Sequence, residues 1–116
     1  MHEFSLMASI MDTIKETAVQ NNIARVTKVK LVIGKLSMVL PDSMQFAFEA
    51  LGKDDMFTGA VLEFEERNIS CQCSTCQHLF EVDRSYRFSC PQCGCTEVEV
   101  ITGRELYIDY FEGDKQ

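Results

Sequence analysis

The sequence predicts an α+β fold: a small three-stranded sheet with two helices on one face, plus an inserted zinc-ribbon-like four-cysteine module. Three observations carry this expectation. Two stretches repeat apolar residues at three- and four-residue steps, as amphipathic helices do. Others alternate apolar with polar residues and are rich in β-formers. All six cysteines fall between Cys71 and Cys95, near the end of an otherwise ordinary globular chain of 116 residues.

From Phe4 to Ala18 the pattern is helical, with Met7, Ile10, Met11, Ile14 and Ala18 on one stripe; the methionines read as core filler. Ser5 or a residue before it caps the start, and the helix fades at Gln20-Asn21-Asn22. Val26 to Ile33 is a strand, Val29, Leu31 and Ile33 facing the core and Lys28 and Lys30 facing out, with Gly34 as its end. Pro41 opens a second helix, Asp42 standing near its positive end. Its apolar face is Met44, Ala47, Phe48 and Leu51, with Gly52 at C′ and Lys53-Asp54-Asp55 as a solvated turn.

Ala60 to Glu66 alternates, Leu62 and Phe64 inward, Glu63 and Glu65 outward. The Glu65/Glu66 pair reads as strand-edge solubility rather than acid–base chemistry. After the cysteines, Val98 to Ile101 resumes a strand. Beyond Thr102-Gly103, Leu106, Ile108 and Tyr110 alternate with Tyr107, Asp109 and Phe111, and the chain frays from Gly113. The division that follows is one α+β domain at 1–69 and 98–116 and a zinc-binding domain at 70–97, the latter too small to fold without metal.

Cys73/Cys76 and Cys90/Cys93 each have the C-x-x-C spacing, which sets two thiolates on one side of a tight turn. Two such turns close a tetrahedron around zinc, with Zn–S distances of about 2.3 Å and no open position, the signature of a structural site. Disulfides suit a secreted chain, but Met1-His2-Glu3 puts an acid where a basic signal-peptide segment belongs. A redox C-x-x-C comes singly beside a βαβ pattern, whereas iron in a rubredoxin-like site fits the same spacing as zinc. Cys71 competes with Cys73 for the first turn, and Cys95 with Cys93 for the second. Pro91 and Gly94 favour Cys93 by presetting the turn and supplying a residue tolerant of positive φ. Symmetry then favours Cys73 and Cys76, leaving Cys71 and Cys95 as spare thiols.

The formal charge is −7, and four thiolates around one Zn²⁺ bring it to about −9. Such a chain repels phosphate backbones, which argues against the alternative of a zinc-ribbon nucleic-acid-binding or transcription-associated module. No apolar run approaches the roughly 18–20 residues of a membrane span, so the expectation is a soluble cytoplasmic protein. Nor is there a nucleophile–base pair, a phosphate loop or an open metal site to suggest an enzyme.

His2 is the second chemical feature. The terminal amine, the His2 amide and its imidazole can close adjacent chelate rings on one metal, with the Glu3 amide next along the backbone. This near-planar nitrogen set suits Ni(II) or Cu(II) rather than zinc. On the residues alone, a histidine at position 2 is more often an incidental exposed side chain than a metal ligand.

The opening Met1-His2-Glu3-Phe4-Ser5-Leu6 is of the M-H-E-F/Y-S type. Together with the two C-x-x-C pairs and the length, it makes the chain closely resemble the HypA/HybF family, nickel metallochaperones for maturation of [NiFe] hydrogenases. The resemblance spans the whole chain. It implies that His2 is the nickel ligand, assisted by Glu3 and the first backbone nitrogens, and that Cys73, Cys76, Cys90 and Cys93 hold structural zinc. It also implies a HypB GTPase and a hydrogenase large-subunit precursor as partners of a monomer or homodimer; some relatives also serve urease. Cys71 and Cys95 depart from the simple four-cysteine pattern. Where some relatives place histidines after both C-x-x-C turns, only His78 matches here.

Overall fold

The amphipathic stripe of the first helix, α1 (His2–Gln20), buries Met7, Met11, Ile14 and Ala18. A computed structural model describes residues 2–53, 56–83 and 85–115, His2 by its backbone alone. Because α1 begins at His2, Ser5 lies inside the helix and is not its cap. A second helix, α2 (Pro41–Leu51), starts with Pro41 in its first turn and buries Met44, Ala47 and Phe48. Its end differs from the expected left-handed C′ glycine: Gly52 has φ −100°, and its N–H donates to the Phe48 carbonyl. Glycine is needed there for space, since a Cβ would come within 3.0 Å of both the Phe48 oxygen and the Phe57 Cβ.

Strands β1 (Ile23–Gly34), β2 (Val61–Arg67) and β6 (Leu106–Lys115) form a three-stranded sheet in the order β2-β1-β6. Both helices pack on one face of it. Their buried residues share a core with Val26, Val29, Leu31, Leu62 and Phe57, whose ring meets Phe48 edge-on at 5.8 Å. On the opposite face Lys28 and Lys30 pair with Glu63 and Glu65 at 3.2 and 3.6 Å.

The inward set of β6 departs from simple alternation. Ile108 packs on the core, but the next inward residue is Phe111, and Tyr110 turns to the outer face beneath the Lys28 and Lys30 ammonium groups. Strand β1 shows a matching step, Val26 and Val29 both being buried. Parity therefore resets once along each of these neighbouring strands. The Tyr110 hydroxyl and then Glu63 hold the Lys28 ammonium above its ordinary pKa.

A second sheet was absent from the sequence expectation, in which the cysteine module was an excursion between the last two strands of one sheet. Strands β3 (Ile69–Cys73), β4 (Leu79–Val82) and β5 (Val98–Thr102) pair in the order β4-β3-β5, so Val98–Thr102 belongs here and not to the first sheet. Both ladders are antiparallel, with Cys71 opposite Phe80 on one side and Val100 on the other. One face is apolar, Ile69, Cys71 and Val82 being buried with Leu36, Phe80, Phe88, Val98 and Val100 around them.

The chain divides into two compact units. Met1–Val32, Val39–Glu65 and Tyr107–Gln116 make the first, Ile33–Met38 and Glu66–Leu106 the second. Within the second, Gly34 donates to the Glu105 carbonyl and Leu36 to the Gly103 carbonyl, both at 2.7 Å. A Cβ on Gly34 would overlap the Gly103 peptide, and Gly103 has φ +124° with Ile69 at 3.2 Å from its Cβ position. Gly34→Ala is accordingly expected to destabilise the second unit by about 1–3 kcal/mol or more. In urea this reads as a lower unfolding midpoint with an unchanged slope. An unchanged midpoint would mean that the two segments part freely to admit a methyl group.

Candidate metal centre

Cys73 ends β3, and the chain turns through Ser74-Thr75-Cys76 before β4. The Cys73 N–H donates to the His78 carbonyl and the Gln77 N–H to the Cys73 carbonyl, both at 3.0 Å. The second turn repeats this pattern. Cys90 donates to the Cys95 carbonyl and Gly94 to the Cys90 carbonyl, both at 2.8 Å. In each, the residue after the second cysteine is left-handed: Gln77 at φ 64° and Gly94 at φ 76°.

Gly94 was foreseen in that role; Gln77 was not, because glutamine carries no such signal. A Cβ at Gly94 would meet nothing within 4 Å, so backbone conformation alone explains that glycine. Gln77→Gly is expected to stabilise the turn by less than about 1 kcal/mol, since it also loses the side-chain bond to the Ser74 carbonyl. Thermal unfolding of the zinc-loaded chain measures this, and a lower midpoint would contradict it.

The two turns bring four sulfurs together. The Sγ atoms of Cys73, Cys76, Cys90 and Cys93 all lie within 4.8 Å of one another, with 3.5 Å between Cys73 and Cys93 and 3.6 Å between Cys76 and Cys90. A tetrahedron with Zn–S bonds of about 2.3 Å has edges of about 3.8 Å, so the donor set fits zinc.

Backbone N–H groups surround these sulfurs in the same order twice. Those of Cys76 and Thr75 serve Cys73, and that of His78 serves Cys76; those of Cys93 and Gln92 serve Cys90, and that of Cys95 serves Cys93. Donation by Cys76 leads in holding the Cys73 thiol down at about 6. At Cys93 the Cys95 N–H pulls down, but crowding by Cys73, Cys90 and Cys76 pushes the thiol up to about 12. Four thiolates at this spacing need a cation among them, and Zn²⁺ supplies both the charge and the geometry. Cys73 and Cys90 are buried, while Cys76 and Cys93 face solvent.

The other sulfurs stand apart from that group. Cys71 is buried in the second sheet's core, where burial raises its thiol pKa against the opposing charge of Arg104. Cys95 is half-buried, and its sulfur accepts from the Thr75 hydroxyl at 3.3 Å and the Glu97 N–H at 3.4 Å. The His78 ring stacks on Phe80, 6.2 Å between centroids, and contributes to the turn through its backbone.

Comparison with known proteins decides the family. Residues 1–113 match the family described as "Hydrogenase/urease nickel incorporation, metallochaperone, hypA". The chain belongs to the HypA family. It is 40% identical to the hydrogenase maturation factor HypA of Moorella thermoacetica, over 98% of this chain and 100% of that one. To the HypA of Lawsonia intracellularis it is 37% identical, over 97% and 98%. Its fold is that of the solution structure of the Ni metallochaperone HypA from Helicobacter pylori, with a TM-score of 0.68 at 22% identity over 98% of each chain. A second HypA solution structure gives a TM-score of 0.73 at 24% identity, over 97% and 96%. As a HypA-family chain it is a nickel metallochaperone for hydrogenase maturation, and its four-cysteine cluster fits the family's structural zinc. No helix among the described residues is long and apolar enough to cross a membrane.

The expected nickel ligands lie at the start of α1. Met1 and the His2 side chain fall outside the described residues, whereas Glu3 sits in the first turn of α1. Glu3 lines a cleft of about 320 Å³ with Phe4, Asp42, Ser43 and Phe46, where the first turns of α1 and α2 meet. The Phe4 and Phe46 rings pack edge to face across it at 6.2 Å.

Proposed function

We propose that the chain carries Ni(II) on its terminal amine, the His2 imidazole and the first backbone nitrogens, with Glu3 assisting. It would deliver that nickel with a HypB GTPase to a [NiFe] hydrogenase large-subunit precursor in the cytoplasm. The observation that carries this reading is that α1 begins at His2 in a chain of the HypA family. The first N–H groups of an α-helix have no intrahelical acceptor, so metal binding through them breaks no helical hydrogen bond. The helix dipole opposes a cation at this end, and Glu3 and Asp42, in the first turns of α1 and α2, offset it. Acidic residues outnumber basic ones two to one in the first unit and nearly balance them in the second, where four thiolates around Zn²⁺ would add about −2, so the first unit carries the larger share of the negative charge.

Nickel handling is thereby assigned to the first unit, and the zinc-stapled second unit to docking. Zinc on Cys73, Cys76, Cys90 and Cys93, when bound, would tie the two turns together; all four positions are protein ligands, so none is left for exchange. His2→Ala tests the reading. Nickel uptake, followed by titration calorimetry on untagged protein, is expected to be lost while zinc stays at one ion per chain. Tight nickel binding by that variant would remove His2 from the account.

A further inference from the structure

The apolar face of the second sheet is covered only in part. Leu36 and Phe88 pack on it, and beside them it opens as a groove of about 490 Å³ lined by Leu36, Phe88, Thr96, Val98, Val100 and Arg104. Its four apolar lining residues are only partly buried. Arg104 is exposed and makes no hydrogen bond or ion pair to any described residue, though its charge reaches the Cys71 thiol. Strand β5, which supplies Val98 and Val100, is an edge of its sheet. The register shift opposite Ser70/Cys71 leaves Ile101 as an extra residue and confines regular pairing on β5 to its first part.

We propose that this groove is a peptide-docking site, taking an extended segment of a partner protein that fills it with one apolar side chain and sets a carboxylate on Arg104. The chemistry follows from complementarity. An unpaired guanidinium at the rim of an apolar groove matches a carboxylate carried beside an apolar body, and its planar fork favours two-point pairing. The outer edge of β5, which pairs with no other strand among the described residues, selects an extended peptide over a compact ligand, because backbone groups of such an edge accept another strand. Side chains on one side of an extended segment stand two residues, about 6.6 Å, apart, so the apolar residue and the acid are expected at positions k and k±2. The inference deepens the docking part of the proposed function and is independent of nickel.

The test uses the full chain, zinc-loaded and nickel-free, to select from a displayed library of random heptapeptides. Selected peptides are then synthesised and titrated by fluorescence anisotropy at low and high salt. Expected are peptides with Asp or Glu two places from a branched or aromatic apolar residue, binding more weakly as salt rises. Arg104→Ala should weaken binding by at least about tenfold, as loss of a charge-assisted bond does, and Arg104→Glu should turn selection toward Lys and Arg. Both substitutions are at an exposed side chain, and zinc content and circular dichroism confirm folding. Enrichment of nothing, of peptides lacking the acid, or of binders indifferent to Arg104→Ala would overturn the proposal. So would self-association that Arg104→Ala abolishes, since the occupant would then be a second copy of this chain. A chain that takes up nickel yet selects no such peptide loses this proposal alone.

Discussion

Cys90→Ser is expected to unfold the second unit while the helical first unit stays folded. Among the described residues the hydrophobic cluster of the second unit's sheet is small, Ile69, Cys71 and Val82 being buried with half-buried neighbours around them. So small a core leaves it dependent on metal-linked folding free energy, on the order of 10 kcal/mol for structural zinc. The first unit keeps its own cluster of Met7, Met11, Ile14, Leu31, Met44, Phe48 and Phe57. Elemental analysis should find less than one zinc per chain. Hydrogen exchange should show the amides of β3 and β5 losing protection while those of α1 and α2 keep theirs. A strong chelator acting on the unaltered chain should reproduce the pattern. Protected β3 amides in the zinc-free protein would show that the second sheet stands without its metal.

Nickel uptake is expected to fall by about 100-fold or more when the terminal amine is acetylated or the chain is extended ahead of Met1. Either change turns the amine into an amide and removes one of the proposed ligands, a larger loss than the 10–100-fold typical of outer-shell changes. Zinc content should not move. The same site predicts a pH dependence. On the proposed ligand set the α-amine and imidazole, whose ordinary pKa values are about 7.7–8.0 and about 6.5, must both lose protons to bind, so affinity is expected to fall steeply as pH drops from about 8 to about 6. Calorimetric titration of acetylated and free chains across that range measures both effects. Unaltered affinity in the acetylated chain would show that the amine takes no part.

The helices and the first sheet were largely readable from sequence, because period and turn chemistry act over a few residues. Met7, Met11, Ile14 and Ala18 mark the buried stripe of α1 as directly as Leu62 and Phe64 mark the inner side of β2. Strict alternation does not hold through β6, since its parity resets between Ile108 and Phe111 and only its pairing with β1 reveals where. The second sheet was missed for a related reason. In β3 the alternation Ile69, Cys71, Cys73 is written partly in cysteines, whose ligand spacing masks their place in the core of a strand. Strand β4 has four residues, too few for a periodic signal.

By itself the sequence determined two helices, the strands of the first sheet, a pair of thiolate turns and a nitrogen-rich N-terminus, all of them consequences of neighbours within about one turn of chain. Only tertiary structure decided that the four sulfurs converge, that Leu36 packs into a second sheet sixty or more residues from Val98 and Val100, and that Arg104 borders an open groove. Those outcomes depend on which distant segments pair, and that choice is made by the summed burial of both cores and not by any local pattern.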